Sequence, residues 1–123
     1  MCEVGNPGRF PEKSWVTFLT LRLLAEEPSY GYRLMEIMEE KEYLAFERIE
    51  SGTIYTILRR LEKKGLVESE WERIESGPDR RMYKVTDEGL RFLKAGLETM
   101  GRRRRVIDDL LAFYEDRFKG EQP

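Results

Sequence analysis

Apolar positions recur along this chain at helical spacing as far as residue 66, then switch to alternation, then return to helical spacing for the rest of the sequence. In the first helical stretch Trp15, Val16, Phe18, Leu19, Leu21, Leu23 and Leu24 leave almost no polar face. The pattern predicts a helix capped by Ser14, running to Glu27 and stopped by Pro28. A helix with no solvent face needs cover on two sides. Its own small domain supplies one, and a second subunit is expected to supply the other. Ser29 is placed to cap a second helix, YGYRLMEIMEEKE, with Tyr30, Leu34, Ile37 and Met38 turned inward. Residues 43–51 connect it to a third stretch, GTIYTILRRLEKKGLV. There Ile57, Leu58 and Leu61 fall within roughly 60° of Ile54 around the helix axis. Thr56, Arg59, Arg60 and Lys63 fall opposite, with Tyr55 and Lys64 on the flanks. Ser51 is the expected N-cap, and Gly65 stands where a left-handed C-cap belongs.

Beyond Gly65 the period changes to two. LVESEWER alternates Val67, Ser69 and Trp71 against Glu68, Glu70 and Glu72, as a half-exposed strand does. ESGPDR is dense in turn formers, and RMYKVT reads as a second short strand with Met82 or Tyr83 inward. Trp71 is expected to cover the apolar base of this hairpin. A last helix, starting at Thr86 or Asp87 and reaching about Lys119, carries Leu90, Leu93, Leu97, Met100, Arg104, Ile107, Leu111, Tyr114 and Phe118 at spacings of three and four. That is a heptad seam interrupted once. Thirty helical residues span ~45 Å, more than the core of a small domain requires. The seam therefore predicts a dimer interface, with the first helix packing against the partner's last. Arg104 lies within GRRRR, residues 101–105. Three readings stay open: a solvated bend after Gly101, an ion pair with the partner, or a second basic patch for nucleic acid. Four consecutive helical residues point four ways, so they do not all line one groove. The predicted organisation is an arm over 1–13, rich in Gly and Pro, a helical domain with a hairpin over 14–86, and a long helix over 87–119.

Composition narrows the function. There is no histidine, which removes the commonest metal ligand and the usual general base. No phosphate-binding glycine loop or metal-ligand spacing is present, so neither an enzyme nor a metal or cofactor is expected. Cys2 is the single cysteine, so no internal disulfide forms, which fits a reducing cytoplasm. No apolar run reaches membrane-spanning length and no signal peptide opens the chain. Amides are scarce, Asn6 and Gln122 alone, and charge is abundant, a composition that suggests a heat-adapted source. Cations number 22 against 24 anions, for a net charge of −2, which by itself argues mildly against a nucleic-acid partner. The distribution argues the other way: Ser51–Lys64 holds four cations and one anion, Glu62. An isolated cluster of this kind is most often a solvated face. Here three helices and a hairpin follow in winged helix-turn-helix order, in which the third helix enters the major groove and the hairpin reaches the backbone or minor groove. Arg80 and Arg81, expected at the hairpin tip, would share one surface with the third helix, which a solvated face does not explain.

GTIYTILRRLEKKGLV followed by GPDRRMYKVTDEG resembles the PadR family of transcriptional regulators, and YGYRLMEIM resembles that family's second helix. The family frequently has proline after the tyrosine of the third helix, where this chain has Thr56. The resemblance implies a mostly α fold with a small β hairpin, a winged helix-turn-helix domain plus a long C-terminal dimerisation helix. It implies a homodimeric repressor on a palindromic double-stranded DNA operator. DNA contacts are carried over to Ser51, Thr53, Tyr55, Thr56, Arg59 and Arg60, with Arg59 as the base reader. Lys63 and Lys64 are expected to raise the local potential, and Arg80 and Arg81 to serve the wing. Tyr32 either reaches a phosphate or packs. The resemblance also implies a small aromatic or drug-like effector between the dimer's first and last helices, lined by Trp15 and Phe18, for which membership of the core is the competing role. Two alternatives remain: a winged helix used for protein contacts, which the acidic balance favours, and a MarR-like regulator, which is longer and brings an N-terminal helix into its dimer seam.

Overall fold

The computed structural model describes residues 14–43 and 50–120, apart from the side chains of Ser14 and Ser51. The expected arm over 1–13 and most of the connection over 43–51 lie outside the described residues. The elements are α1 (Ser14–Glu26), α2 (Gly31–Glu40), α3 (Ser51–Lys63), β1 (Val67–Glu72), β2 (Arg80–Val85) and α4 (Asp87–Arg117). The chain falls into two units, one holding α1 through Leu93 and the other holding α4 from Lys94 onward.

In the first unit, Val16, Leu21, Leu24, Leu34, Met38, Ile54, Leu58 and Val67 form a core contributed by α1, α2, α3 and β1. Thr20 is buried among them without cost to its hydroxyl, which donates to the Val16 carbonyl at 2.8 Å. Ser29 does not cap α2. Tyr30 is the N-cap, extended and without a side-chain cap bond, and Ser29 exchanges two backbone hydrogen bonds with Tyr83, at 3.0 and 2.8 Å. Pro28 disfavours helical backbone before it and cannot continue α1, so the connector stays extended and adds a one-residue third strand to the edge of β2. Glu50, likewise extended, occupies the N-cap of α3, and Ser51 is already helical.

The C-termini of α2 and α3 follow one rule. Leu66 N–H bonds the Leu61 carbonyl and Gly65 N–H bonds the Glu62 carbonyl, with Gly65 at φ 78°. This is the Schellman arrangement the sequence placed at Gly65. α2 ends in the same way, except that Glu42 takes the left-handed position at φ 55°. The turn after β2 locks onto the end of α3. Thr86 N–H donates to the Leu66 carbonyl at 3.1 Å, and the Thr86 hydroxyl donates to the Gly65 carbonyl at 2.7 Å while accepting from Gly89 N–H at 3.0 Å. Thr86 is thus both the N-cap of α4 and a clasp on the terminus of α3.

The hairpin pairs Val67 with Val85, Ser69 with Tyr83 and Trp71 with Arg81 on one face. Tyr83, not Met82, is the inward residue. α4 is helical without a break through Gly101. In the second unit every residue from Gly101 to Gly120 is exposed. There Arg104 pairs with Asp108 of the same helix at 3.6 Å, and Arg102 donates to the Thr99 hydroxyl at 3.0 Å.

Candidate nucleic-acid interface

The outward face of α3 is built by the same periodicity that buries Ile54, Ile57, Leu58 and Leu61. Thr56, Arg59, Arg60, Lys63 and Lys64 are exposed, Tyr55 partly so, and Thr53 is half-buried at the first turn. Ser51, expected beside them, has its side chain outside the described residues. Gly31, the first residue of α2, lies under the Tyr55 ring, and a Cβ there would overlap it. That close approach lets α2 meet α3 and fixes the ring at the start of the face. Tyr32, next along α2, is 63% exposed, so packing is not its role here.

Charge on this face is not neutralised. Among the described residues, Arg59, Arg60, Lys63 and Lys64 have no carboxylate within ion-pair reach, and Arg59 contacts the Thr56 hydroxyl at 3.5 Å. Elsewhere in the unit Arg22, Arg33, Arg80, Arg81, Lys84 and Arg91 all face carboxylates. The one acid of α3, Glu62, points to the hairpin: it accepts from the Ser69 hydroxyl at 2.7 Å and faces Arg81 at 3.8 Å. A local positive potential thus stands on an acidic protein.

The wing differs from expectation in three respects. Arg80 and Arg81 are not at its tip; they begin β2, opposite Glu72 and Trp71, and the tip is residues 73–79. Arg80 bonds Glu72 at 2.8 Å and lies 4.0 Å above the Tyr30 ring. Arg81 donates to Ser69 at 2.8 Å and lies over the Trp71 ring at 5.1 Å. Trp71 does not cover the hairpin base, which Val67 and Tyr83 fill; it is 64% exposed. Arg73, missed from sequence, is the exposed cation of the tip. Counting the pairing outward from Val67 and Val85 would have found it. Burial, and then the Glu62 charge, hold the Tyr83 phenol above its ordinary value, against the pull of Arg81 and Arg59.

The other expected sites are placed as follows. Phe18 is 5% exposed and stacks on Phe92 with centroids 5.5 Å apart, so it is core and does not line an open pocket. Trp15 is partly exposed. Of the heptad positions, Leu93 is buried in the first unit, Met100 is intermediate, and Leu90, Leu97, Ile107, Leu111, Tyr114 and Phe118 are exposed. Val106, Leu110 and Phe113, outside the expected seam, are exposed as well.

With this geometry established, residues 20–95 match the transcriptional regulator PadR-like family. The chain belongs to that family. Its fold is likewise similar to solved family members. A PadR family transcriptional regulator from Eggerthella lenta is 34% identical with a TM-score of 0.70, over 80% of this chain and 83% of that one. A PadR family transcription regulator from Clostridium difficile is 28% identical with a TM-score of 0.69, over 79% and 98%. Uncharacterized protein X of Lysinibacillus sphaericus is 28% identical over 90 residues, 73% of this chain and 82% of its own. The mostly α winged helix-turn-helix fold with a long C-terminal helix, expected from the sequence, is the fold observed. This PadR-like chain is accordingly a transcriptional regulator with a winged-helix DNA-binding fold. No helix among its described residues is long and apolar enough to cross a membrane.

Proposed function

We propose that this PadR-like protein is a cytoplasmic, homodimeric repressor that places α3 in the major groove of each half of a two-fold operator. Residues 14–86 carry DNA and 87–119 hold the dimer. The observation behind this reading is the row of unpaired cations on α3, in a unit whose other arginines are mostly ion-paired. Arg59 reads a base edge, a guanidinium being the commonest specific partner of guanine. Arg60, Thr56, Tyr55, Thr53 and Ser51 complete the face, while Lys63, Lys64 and Tyr32 take phosphates that set position without reading sequence. On the wing, Arg73 joins Arg80 and Arg81, whose charges are already partly spent on Glu72 and Glu62. Half-sites would lie ~34 Å or a multiple apart. A small aromatic effector taken up beside Trp15, if it alters the spacing of the two recognition helices, would release the operator.

The test is titration of labelled duplex from upstream of the protein's own gene, with random duplex as competitor, at low and moderate salt. Arg59→Ala/Arg60→Ala should weaken specific binding by at least the ~1–3 kcal/mol of one lost base contact and flatten the salt dependence. Equal binding by the double variant and wild type would remove α3 as the recognition element.

A further inference from the structure

Trp71 is the feature of the hairpin that packing does not explain. Strand alternation puts it on the face of Val67 and Ser69, yet at 64% exposure it leaves most of a large ring in water. That face is the one turned to α3, because Ser69 and Arg81, its neighbours along and across the hairpin, both reach Glu62 of α3. The ring is also braced. Arg81 lies 5.1 Å over it and is itself held by Ser69 at 2.8 Å, so a chain of polar contacts fixes the ring to the recognition helix. Two cations stand near it in the hairpin, Arg81 across the strand pair and Arg73 two residues on, while its chain neighbours Glu70 and Glu72 alternate to the opposite face.

A rigid aromatic plane with one N–H donor, exposed near the hairpin tip and braced by Arg81, suits a groove wall. The ring covers sugar and the indole N–H meets an acceptor. We propose that Trp71 is a DNA-contact residue of the wing, packing on the sugar–phosphate wall of the groove next to the one α3 occupies. The proposal rests on the reading of α3 given above, and its test separates the two.

The chain has two tryptophans, Trp15 and Trp71, so the difference in emission between wild type and Trp71→Phe isolates the wing ring. Wild type, Trp71→Phe, Trp71→Ala and Arg59→Ala/Arg60→Ala are titrated at low salt with the upstream duplex and with a random duplex, following labelled-DNA anisotropy and acrylamide quenching. Duplex should shield Trp71 from acrylamide. Trp71→Ala should weaken the upstream duplex at least roughly fivefold, as loss of an aromatic anchor does, with Trp71→Phe between the two and the salt slope unchanged because no charge is removed. The side chain is exposed, so Trp71→Ala should melt with wild type. If the α3 double variant loses binding while Trp71→Ala binds as wild type and the ring stays open to acrylamide, the wing contact is overturned and the α3 reading stands. Weakened binding without shielding makes the effect structural and also overturns it. If wild type binds neither duplex, both readings fall.

Discussion

Gly89 sits in the first turn of α4 with its Cα against the Leu66 backbone, and a Cβ there would overlap the Leu66 carbonyl oxygen and press on Val85. Neither neighbour is a flexible chain end: one is backbone held by Thr86, the other a strand residue. Gly101, twelve residues along the same helix, meets nothing within 4 Å. The two alanine substitutions should therefore move stability in opposite directions. Gly89→Ala should cost about 1–3 kcal/mol through overpacking. Gly101→Ala should add about 1 kcal/mol by removing backbone freedom from an exposed helix interior. Urea unfolding of the two variants beside wild type checks both signs. Gly89 and Gly101 are the same residue on the same helix, and nothing local separates a glycine required by close approach from one that is merely tolerated. That distinction lies in Leu66, distant in sequence. The Ser29 cap failed for a related reason: its backbone was drawn to Tyr83, a partner that no local signal discloses.

Where α3 meets the hairpin, Glu62, Ser69, Arg81 and Tyr83 form a polar seam between the two. The Tyr83 phenol belongs to this seam, and its pKa is raised by burial and then by the Glu62 carboxylate. A raised value in the fold means the neutral phenol is favoured there. The contribution to stability is whole below the ordinary phenol value of about 10 and is lost as pH climbs through the higher folded value. Wild-type unfolding free energy should thus fall relative to Tyr83→Phe as pH passes upward through that window, and in the native protein one of the six tyrosines should form phenolate late, a step missing from Tyr83→Phe. Alkaline titration with parallel urea melts decides it; parallel curves for the two proteins would place Tyr83 outside the seam. Element by element, the sequence foretold a great deal. The switch from helical to alternating period marks α3, β1 and β2 within a residue or two, and Gly65 marks the end of α3. What it missed is register. Arg80 and Arg81 follow turn formers and look like tip residues, but pairing Val67 with Val85 counts them back onto β2, leaves Arg73 at the tip and carries Trp71 past the core it was expected to cover.

Taken as a whole, the molecule leaves one surface without a reason inside a single chain. On α4, Val106, Ile107, Leu110, Leu111, Phe113 and Tyr114 are all at least about half exposed, as is Phe118 just past its end, and at about 100° per residue the six on the helix cover an arc of roughly 160°. A two-stranded seam needs only a narrow stripe at two positions per heptad; an arc this wide calls for two covering helices. α4 is the sole element among the described residues of its unit, and helices in proteins draw most of their stability from packing an apolar face. Cover from a second copy would make stability depend on protein concentration by mass action. Sedimentation equilibrium should find a dimer whose melting temperature rises with concentration. Leu111→Asp should yield a monomer whose melting no longer does. Because Leu111 is exposed within one chain, the substitution should spare the α1–β2 core, leaving its circular dichroism intact. Such a monomer should bind an isolated half-site like wild type. On a two-fold duplex it should lose the advantage of linked sites, on the order of 10²–10⁴ in affinity. Equal loss on both duplexes would mean that α4 supports the DNA-binding unit itself, and a wild type monomeric at every concentration would remove the two-fold operator along with the dimer.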